Sequence, residues 1–426
     1  MIIDEGQVNG TVDHLFRHHA GQMVAVLSRI FGFEHLDMAE DAVQDALLSA
    51  MKTWPFAGVP DNPRAWMTAA ARNRMIDRLR RDMRSRPVDE STASVDDLED
   101  RYVENADGLI DDQVRMIFAC CHPAISPDSQ VALVLRTVGG FSVAEIARAY
   151  LSKSDAVAKL LTRAKAKLRA ENVTLAIPPA AELRGRLDAA LKAIYLIFNE
   201  GYNSSTGSSV IRQDLCFEAI RLCELITLHP VAGLPKVHAA AALFLFQAAR
   251  LPARENEIGE LVVLAEQDRS LWDARSIRQA LAHFRLSASG DELTDFHIEA
   301  EIAALYSLSK DFGSIDWRRI LELYDELQKR GFSAVAEINR IIVIGKLSGA
   351  AAALAELERL AAAHDIDGYQ LFHITRAHFL AEAGEADAAR ASYRTSLART
   401  DNLSVQRFLE QRISQLSPGQ PPAEGL

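Results

Sequence analysis

An all-α protein is what this sequence predicts. Apolar residues recur at spacings of three and four almost throughout, no run shows strand-type alternation, and Ala- and Leu-rich stretches are separated by short Gly or Pro breaks. With 426 residues, 49% hydrophobic and 25% charged, the chain is long enough for several domains, each with its own core.

The overall charge of −11 conceals a strong local pattern. Residues 64–86 hold eight basic and two acidic side chains, residues 87–112 one basic and ten acidic, and residues 145–169 seven basic and two acidic. Two basic helices around an acidic tether mark a polyanion-binding protein more clearly than the overall pI does.

The elements follow in order. The first domain is expected over 1–86. Within it "HLDMAEDAVQDALLSAMKTW" is amphipathic, with Ala39, Val43, Ala46, Leu47 and Ala50 on one face and Asp41, Gln44, Asp45 and Lys52 elsewhere. The turn "PFAGVPDN" ends that helix, and Asp61 or Asn62 caps the next, with Pro63 in its first turn. This second helix places Ala69, Met75, Ile76 and Leu79 on its inner side. Arg74, Arg78 and Arg81 gather at i, i+4 and i+7 on another face, and Arg80 and Arg84 extend the basic surface. Guanidinium groups one helical turn apart match phosphate oxygens and can stack on unpaired bases.

Residues 87–107 have the composition of an acidic linker. A second domain is expected over 108–171, built around "GGFSVAEIARAYLSKSDAVAKLLTRAKAKLRAE". Ser142 and Glu145 form an S-x-x-E capping box, the helix runs to Tyr150, and "LSKS" turns the chain, with Ser152 or Ser154 as the next N-cap. The following helix puts Val157, Leu161, Ala164 and Leu168 inward and Asp155, Lys159, Thr162 and Arg163 outward. That is a helix-turn-helix whose second helix is suited to the major groove.

A helical extension is expected over 180–418. It opens near "LKAIYLIFNEGYNSSTG", read here as an apolar helix followed by a polar, Gly-broken loop at Asn199, Glu200 and Tyr202, either a ligand or docking site or a simple helix stop. Gly349 and Gly384 lie 35 residues apart, each before an Ala-rich helix, close to the period of about 34 residues of tetratricopeptide hairpins.

In order, spacing and wording, "AEDAVQDALLSAMKTWP", "DNPRAWMTAAARNRMIDRLRR", the acidic linker and "FSVAEIARAYLSKSDAVAKLLTRAKAKLR" resemble the blocks of bacterial extracytoplasmic-function (ECF) RNA polymerase sigma factors. "IFACCHPAISPDSQVALVLRTVGGFSVAEIA" resembles one group of them, which carries a long tetratricopeptide-like helical extension. The resemblance implies that Asp41, Gln44 and Asp45 dock on core RNA polymerase. It further implies that Arg74, Arg78, Arg80 and Arg81 meet promoter DNA at the −10 element, and that Lys159, Thr162 and Arg163 meet the −35 element. Many relatives have K-S-R-L-x-R-A-R in the recognition helix; here residues 158–165 read A-K-L-L-T-R-A-K, two basic residues fewer, so Lys159 and Arg163 carry the expected contact. The extension is expected to regulate initiation, with an unknown protein or ligand as its partner.

Other features are read as structural. The adjacent Cys120, Cys121 and His122 cannot all turn toward one ion from a regular helix, and no CxxC exists to complete a site, so no metal is expected. Cys216 and Cys223 are expected inside, and Trp54 and Trp66 in the core. The N-terminus lacks a signal-peptide pattern, four scattered cysteines form no disulfide framework, and "AAAALFLFQAA" from Ala239 is too short to span a bilayer. A cytoplasmic location with no membrane partner is therefore expected. No nucleophile–base set or phosphate-cradling loop points to an enzyme, and no cofactor is expected. Two rival readings are a ligand-responsive helix-turn-helix regulator with a solenoid sensor, and a tetratricopeptide-like protein-binding scaffold.

Overall fold

The computed structural model describes residues 19–85, 109–150, 152–204, 206–207 and 209–416. The acidic linker lies outside these residues. The chain divides into two compact units, residues 1–197 with 221–233, and residues 198–220 with 234–426.

In the first unit a helix runs through residues 19–31 (α1), followed by α2 (Leu36–Ala57), α3 (Pro63–Ser85), α4 (Leu109–Cys120), α5 (Pro127–Thr137), α6 (Val143–Ala149) and α7 (Ser154–Ala170). The first part of α8 (Ala180–Tyr202) and the end of α9 (Gln213–Thr227) also belong here. The expected inner face of α2 is buried at Ala39, Val43, Ala46, Leu47 and Ala50. Asn62 Oδ1 accepts from Ala65 N–H at 3.0 Å, which selects Asn62 over Asp61 as the cap of α3. On α3, Met67, Ala71, Met75, Ile76 and Leu79 are buried, whereas Ala69 is exposed. The true inner row steps 67, 71, 75 and 79, along the i, i+4 line, and Ala69 falls off it. Trp54 is buried and meets Trp66 edge-on at 5.5 Å.

The unit does not end with α7. Arg186 on α8 donates to the carbonyl of Phe118 at the end of α4 at 3.1 Å, and Arg221 on α9 donates to Gln113. The extension expected from residue 180 thus contributes its first segments to the unit that precedes it. Cys120, Cys121 and Cys223 are buried here and free, and burial pushes the Cys120 thiol up to about 12.

The second unit continues with α10 (Pro235–Ala248), α11 (Ala274–Ser287), α12 (Asp295–Leu308), α13 (Trp317–Arg330), α14 (Ala334–Ser348), α15 (Ala350–Ala363), α16 (Gln370–Glu382), α17 (Ala386–Leu397) and α18 (Leu403–Gln415). α10 is buried on nearly every side, as an all-round apolar helix must be. From α13 onward each helix packs on the next, and α14 also reaches α16. There a Cβ on Gly345 would lie 2.2 Å from the Phe379 ring, so only glycine permits this crossing. Gly349 and Gly384 adopt φ +86° and +82°, a left-handed backbone that ends one helix and turns the chain into the next. One small strand pairing was not foreseen: Thr206–Gly207 (β1) runs parallel to Asp401–Asn402 (β2). Two residues are too few to show an alternating pattern.

Candidate nucleic-acid and polymerase interface

The acidic side of α2 and the basic side of α3 face each other. Arg78 donates to Asp41 at 3.1 Å and to Asp45 at 2.8 Å, and Arg74 lies 3.8 Å from Asp45. Gln44 is exposed on the same stretch. Two of the residues expected to meet polymerase, Asp41 and Asp45, and two of those expected to meet DNA are therefore each other's partners in this structure. Arg81 donates to the carbonyl of Asp77 at 3.1 Å and, with Arg80, is exposed. Asp37, Met38, Asp41, Arg78 and Arg81 line an open groove between the two helices.

Three apolar side chains that sequence reasoning passed over belong to this surface. Leu48 and Met51 continue the stripe of Asp41, Gln44 and Asp45 along α2 and are exposed, and Phe56, at the end of α2, is 85% exposed. Single exposed apolar side chains are common on this chain, but Leu48, Met51 and Phe56 share one helical stripe with the acidic residues, which makes the stripe a candidate contact surface. The signal was in the spacing, since 41, 44, 45, 48 and 51 follow one helical stripe, but exposure had to be seen.

The helix-turn-helix forms from α6 and α7. Ser142 Oγ accepts from Glu145 N–H at 3.2 Å, and the Glu145 carboxylate accepts from Ser142 N–H at 2.7 Å, completing the capping box. The N-cap of α7 is Lys153, without a side-chain cap, rather than Ser152 or Ser154. Ser154 is already helical. Val157, Leu161, Ala164 and Leu168 are buried as the periodicity requires. Lys159, Thr162 and Arg163 are exposed together on the outer face, with Thr162 Oγ bonded back to the carbonyl of Ala158 at 2.9 Å.

Other cations of α7 are already engaged. Lys165 donates to Asp37 at 2.7 Å and to Glu40 at 2.8 Å, and Arg169 donates to Asp37 at 2.7 Å. Burial alone would raise the Asp37 carboxyl, but Lys165 and Arg169 outweigh it and hold the group below its usual range. Burial alone would lower Lys165, and Glu40 and Asp37 reverse that. The sequence gives no sign of this pairing, because the partners lie 125 to 132 positions apart.

The segment at Asn199, Glu200 and Tyr202 is the last turn of α8 and not a loop. Gly201 does not break the helix. A Cβ there would come within 2.7 Å of Cys216 N and 2.9 Å of the carbonyl of Arg212, so glycine serves close packing. Within the second unit, the buried Arg254 lies 3.7 Å over the Tyr202 ring and donates to the carbonyl of Tyr202 and, at 2.7 Å, to Asn203 Oδ1. Asn402 donates to the carbonyls of Ser204 and Ser209 at 3.1 and 2.8 Å while its Oδ1 caps α18. This segment is stitched into its unit at several points.

Among the described residues, no cluster of three or more His, Cys, Asp or Glu side chains could hold a metal, and no helix is long and apolar enough to cross a membrane.

Comparisons with known proteins match this arrangement. Residues 15–85 match the family model of Sigma-70 region 2, and residues 115–168 that of Sigma-70 region 4. Residues 186–288 match a family of unknown function, DUF6596. The chain is 36% identical over 389 residues to "Uncharacterized protein R00370" of Rhizobium meliloti (strain 1021), covering 90% of this chain and 91% of that protein. No solved structure matches it. With an exposed basic helix, a capped helix-turn-helix and a long helical continuation in that order, the chain belongs to the ECF-like sigma factors that carry a long C-terminal extension.

Proposed function

We propose that this sigma factor binds core RNA polymerase and directs it to selected promoters, and that its extension regulates that step. The observation that carries the reading is the stripe of Asp41, Gln44, Asp45, Leu48 and Met51 on α2. It is an exposed surface, part acidic and part apolar, that neither core packing nor DNA binding requires. A plain DNA-binding regulator has no use for it. In this reading α3 meets the −10 element through Arg74, Arg78, Arg80 and Arg81, with Phe56 positioned to stack on an unpaired base. α7 meets the −35 element through Lys159, Thr162 and Arg163. The tetratricopeptide-like hairpins of the extension offer a surface for a protein or ligand whose binding would shift initiation.

Reconstitution with core polymerase followed by run-off transcription on fragmented genomic DNA tests the proposal. Discrete start sites dependent on this protein are expected. Polymerase that neither retains the protein nor gains start sites would refute it. The regulatory part is tested by truncating the chain after Gly233, which leaves every segment of the first unit in place. Transcription identical to that of the full chain under every condition would end the idea of a regulator.

A further inference from the structure

In the second unit, residues 249–273 connect α10 to α11 with only three short 3₁₀ turns on the way. The loop closes on itself, since Asp273 N–H donates to the carbonyl of Ala249 at 2.8 Å. Long loops pinned at their ends commonly carry function. This one carries Arg250, Arg254 and Arg269, and among the described residues none of the three forms an ion pair with a carboxylate. Their partners are neutral. Arg250 Nε donates to Gln267 Oε1 at 3.3 Å, Arg254 to the Tyr202 carbonyl and Asn203 Oδ1, and Arg269 Nη1 to the carbonyls of Tyr306 and Ser309 at 3.1 and 2.6 Å. Arg250 and Arg269 share one ring: their guanidinium carbons lie 5.6 and 4.4 Å from the centre of Trp272. The acids that act on the cluster are engaged elsewhere, Glu255 with Ser209 and Val210 N–H, and Asp311 with Ser314 N–H. By contrast, Arg319, Arg340 and Arg412 of the same unit each meet a carboxylate.

Positive charge gathered inside a fold without a counter-charge is unfavourable. Burial holds Arg254 and Arg269 below the usual arginine range, and the charge of Arg250 presses both in the same direction. Donors in the cluster also lack acceptors. Arg269 Nη2 and Trp272 Nε1 are buried with no hydrogen-bond partner, and Trp272 is only 7% exposed. Among the described residues, Arg250 Nη1 and Nη2 have no acceptor either.

We propose that Arg250, Arg254, Arg269 and Trp272 form a binding site for a small phosphate-bearing anion, either inorganic phosphate or a phosphomonoester. The binding does not rest on the polymerase reading above; only a regulatory consequence of it would. Such an anion supplies the missing counter-charge and the missing acceptors together. Phosphate fits better than carboxylate, because guanidinium groups from three positions need acceptors pointing in several directions. A tetrahedral phosphate offers them, whereas a carboxylate has two oxygens in one plane. The Nη1 and Nη2 groups of Arg250 form a fork for a bidentate contact, and Arg254 adds charge without leaving the Tyr202 ring. Arg250 and Arg269 are half-buried and Arg254 is buried, so the anion enters past the first two. Arg269 Nη2 and Trp272 Nε1 are sealed from solvent, so binding must turn the Arg269 side chain on the ring to reach them. The half-buried entrance favours a small anion over a phosphorylated polymer.

The test is calorimetric titration of the full chain, without polymerase, in phosphate-free buffer near neutral pH. Inorganic phosphate, glycerol 3-phosphate and glutarate are the probes, compared at equal ionic strength. One phosphate per chain is expected to bind, with sulfate competing because it presents the same tetrahedral oxygens. Glycerol 3-phosphate that also binds supports a site open to esters, and glycerol 3-phosphate that does not supports a site for the free ion. Arg250→Gln and Arg269→Gln should each weaken phosphate about tenfold or more, since each removes a charge-assisted contact. Arg250→Lys keeps the charge but not the fork and should weaken it less. Arg359→Gln, in an exposed ion pair on α15, should leave it unchanged. Independently of any variant, phosphate should protect Arg250 and Arg269 of the wild-type chain from phenylglyoxal, read by peptide mass spectrometry, and should not protect Arg359. Neither binding heat nor protection at about 10 mM phosphate would overturn the site. So would undiminished binding in both glutamine variants, which would place the anion elsewhere. Glutarate that binds as tightly as phosphate would overturn the phosphate assignment in favour of a carboxylate.

Discussion

Arg78 donates one nitrogen to Asp41 and another to Asp45, tying a residue of the basic helix to two of the acidic one. Each pair is at least partly solvent-exposed, so each contributes about 0–1 kcal/mol to stability and can be exchanged for an outside partner. In the proposed function, polymerase taking the carboxylates would free the guanidinium for DNA, and the acidic and basic residues would act in sequence on one surface.

Charge reversal at Asp41 and Asp45 is expected to abolish co-elution with core polymerase while lowering unfolding stability by less than about 2 kcal/mol, because only exposed pairs are removed. Chemical denaturation beside size-exclusion chromatography separates the two effects. Retained co-elution would remove α2 from the docking surface.

Arg74→Ala with Arg78→Ala is expected to reduce promoter opening more than polymerase binding. Removing two phosphate-neutralising guanidinium groups should flatten the log–log salt dependence of DNA binding by about 1.4–1.8. Permanganate footprinting and a salt titration measure the two quantities, and wild-type values for both would leave α3 as a solvated surface.

Lys159→Ala with Arg163→Ala alters two exposed side chains that follow no buried row, so the melting temperature should stay within a degree or two of wild type. Binding to a −35 fragment should weaken by about 1–3 kcal/mol for each base that no longer has its side-chain partner. Equal weakening on unrelated duplexes would assign these side chains to the backbone rather than to bases.

Tyr202→Ala should destabilise the second unit by about 2 kcal/mol or more, because it removes the ring beneath the buried Arg254. Tyr202→Phe keeps the ring and should be nearly silent. Differential scanning calorimetry distinguishes them, and equal effects would place the contribution in the hydroxyl.

Much of this protein was determined by local rules that sequence alone expresses. The 3.6-residue period placed Val157, Leu161, Ala164 and Leu168 inside α7 and left Lys159, Thr162 and Arg163 outside. The S-x-x-E box fixed the start of α6, and the charge blocks singled out α3. What only tertiary structure decided were pairings between distant positions. Arg78 meets Asp45 across 33 residues, Lys165 meets Asp37 across 128, and Asn402 meets Ser204 across 198. Helical periodicity says which face of a helix turns inward but not which other face it meets. An acidic stripe has the same pattern whether water, polymerase or the protein's own recognition helix lies against it. Gly201 shows the same limit: a glycine near a polar run suggests a break, and only the approach of Cys216 shows that it is there to admit a neighbour.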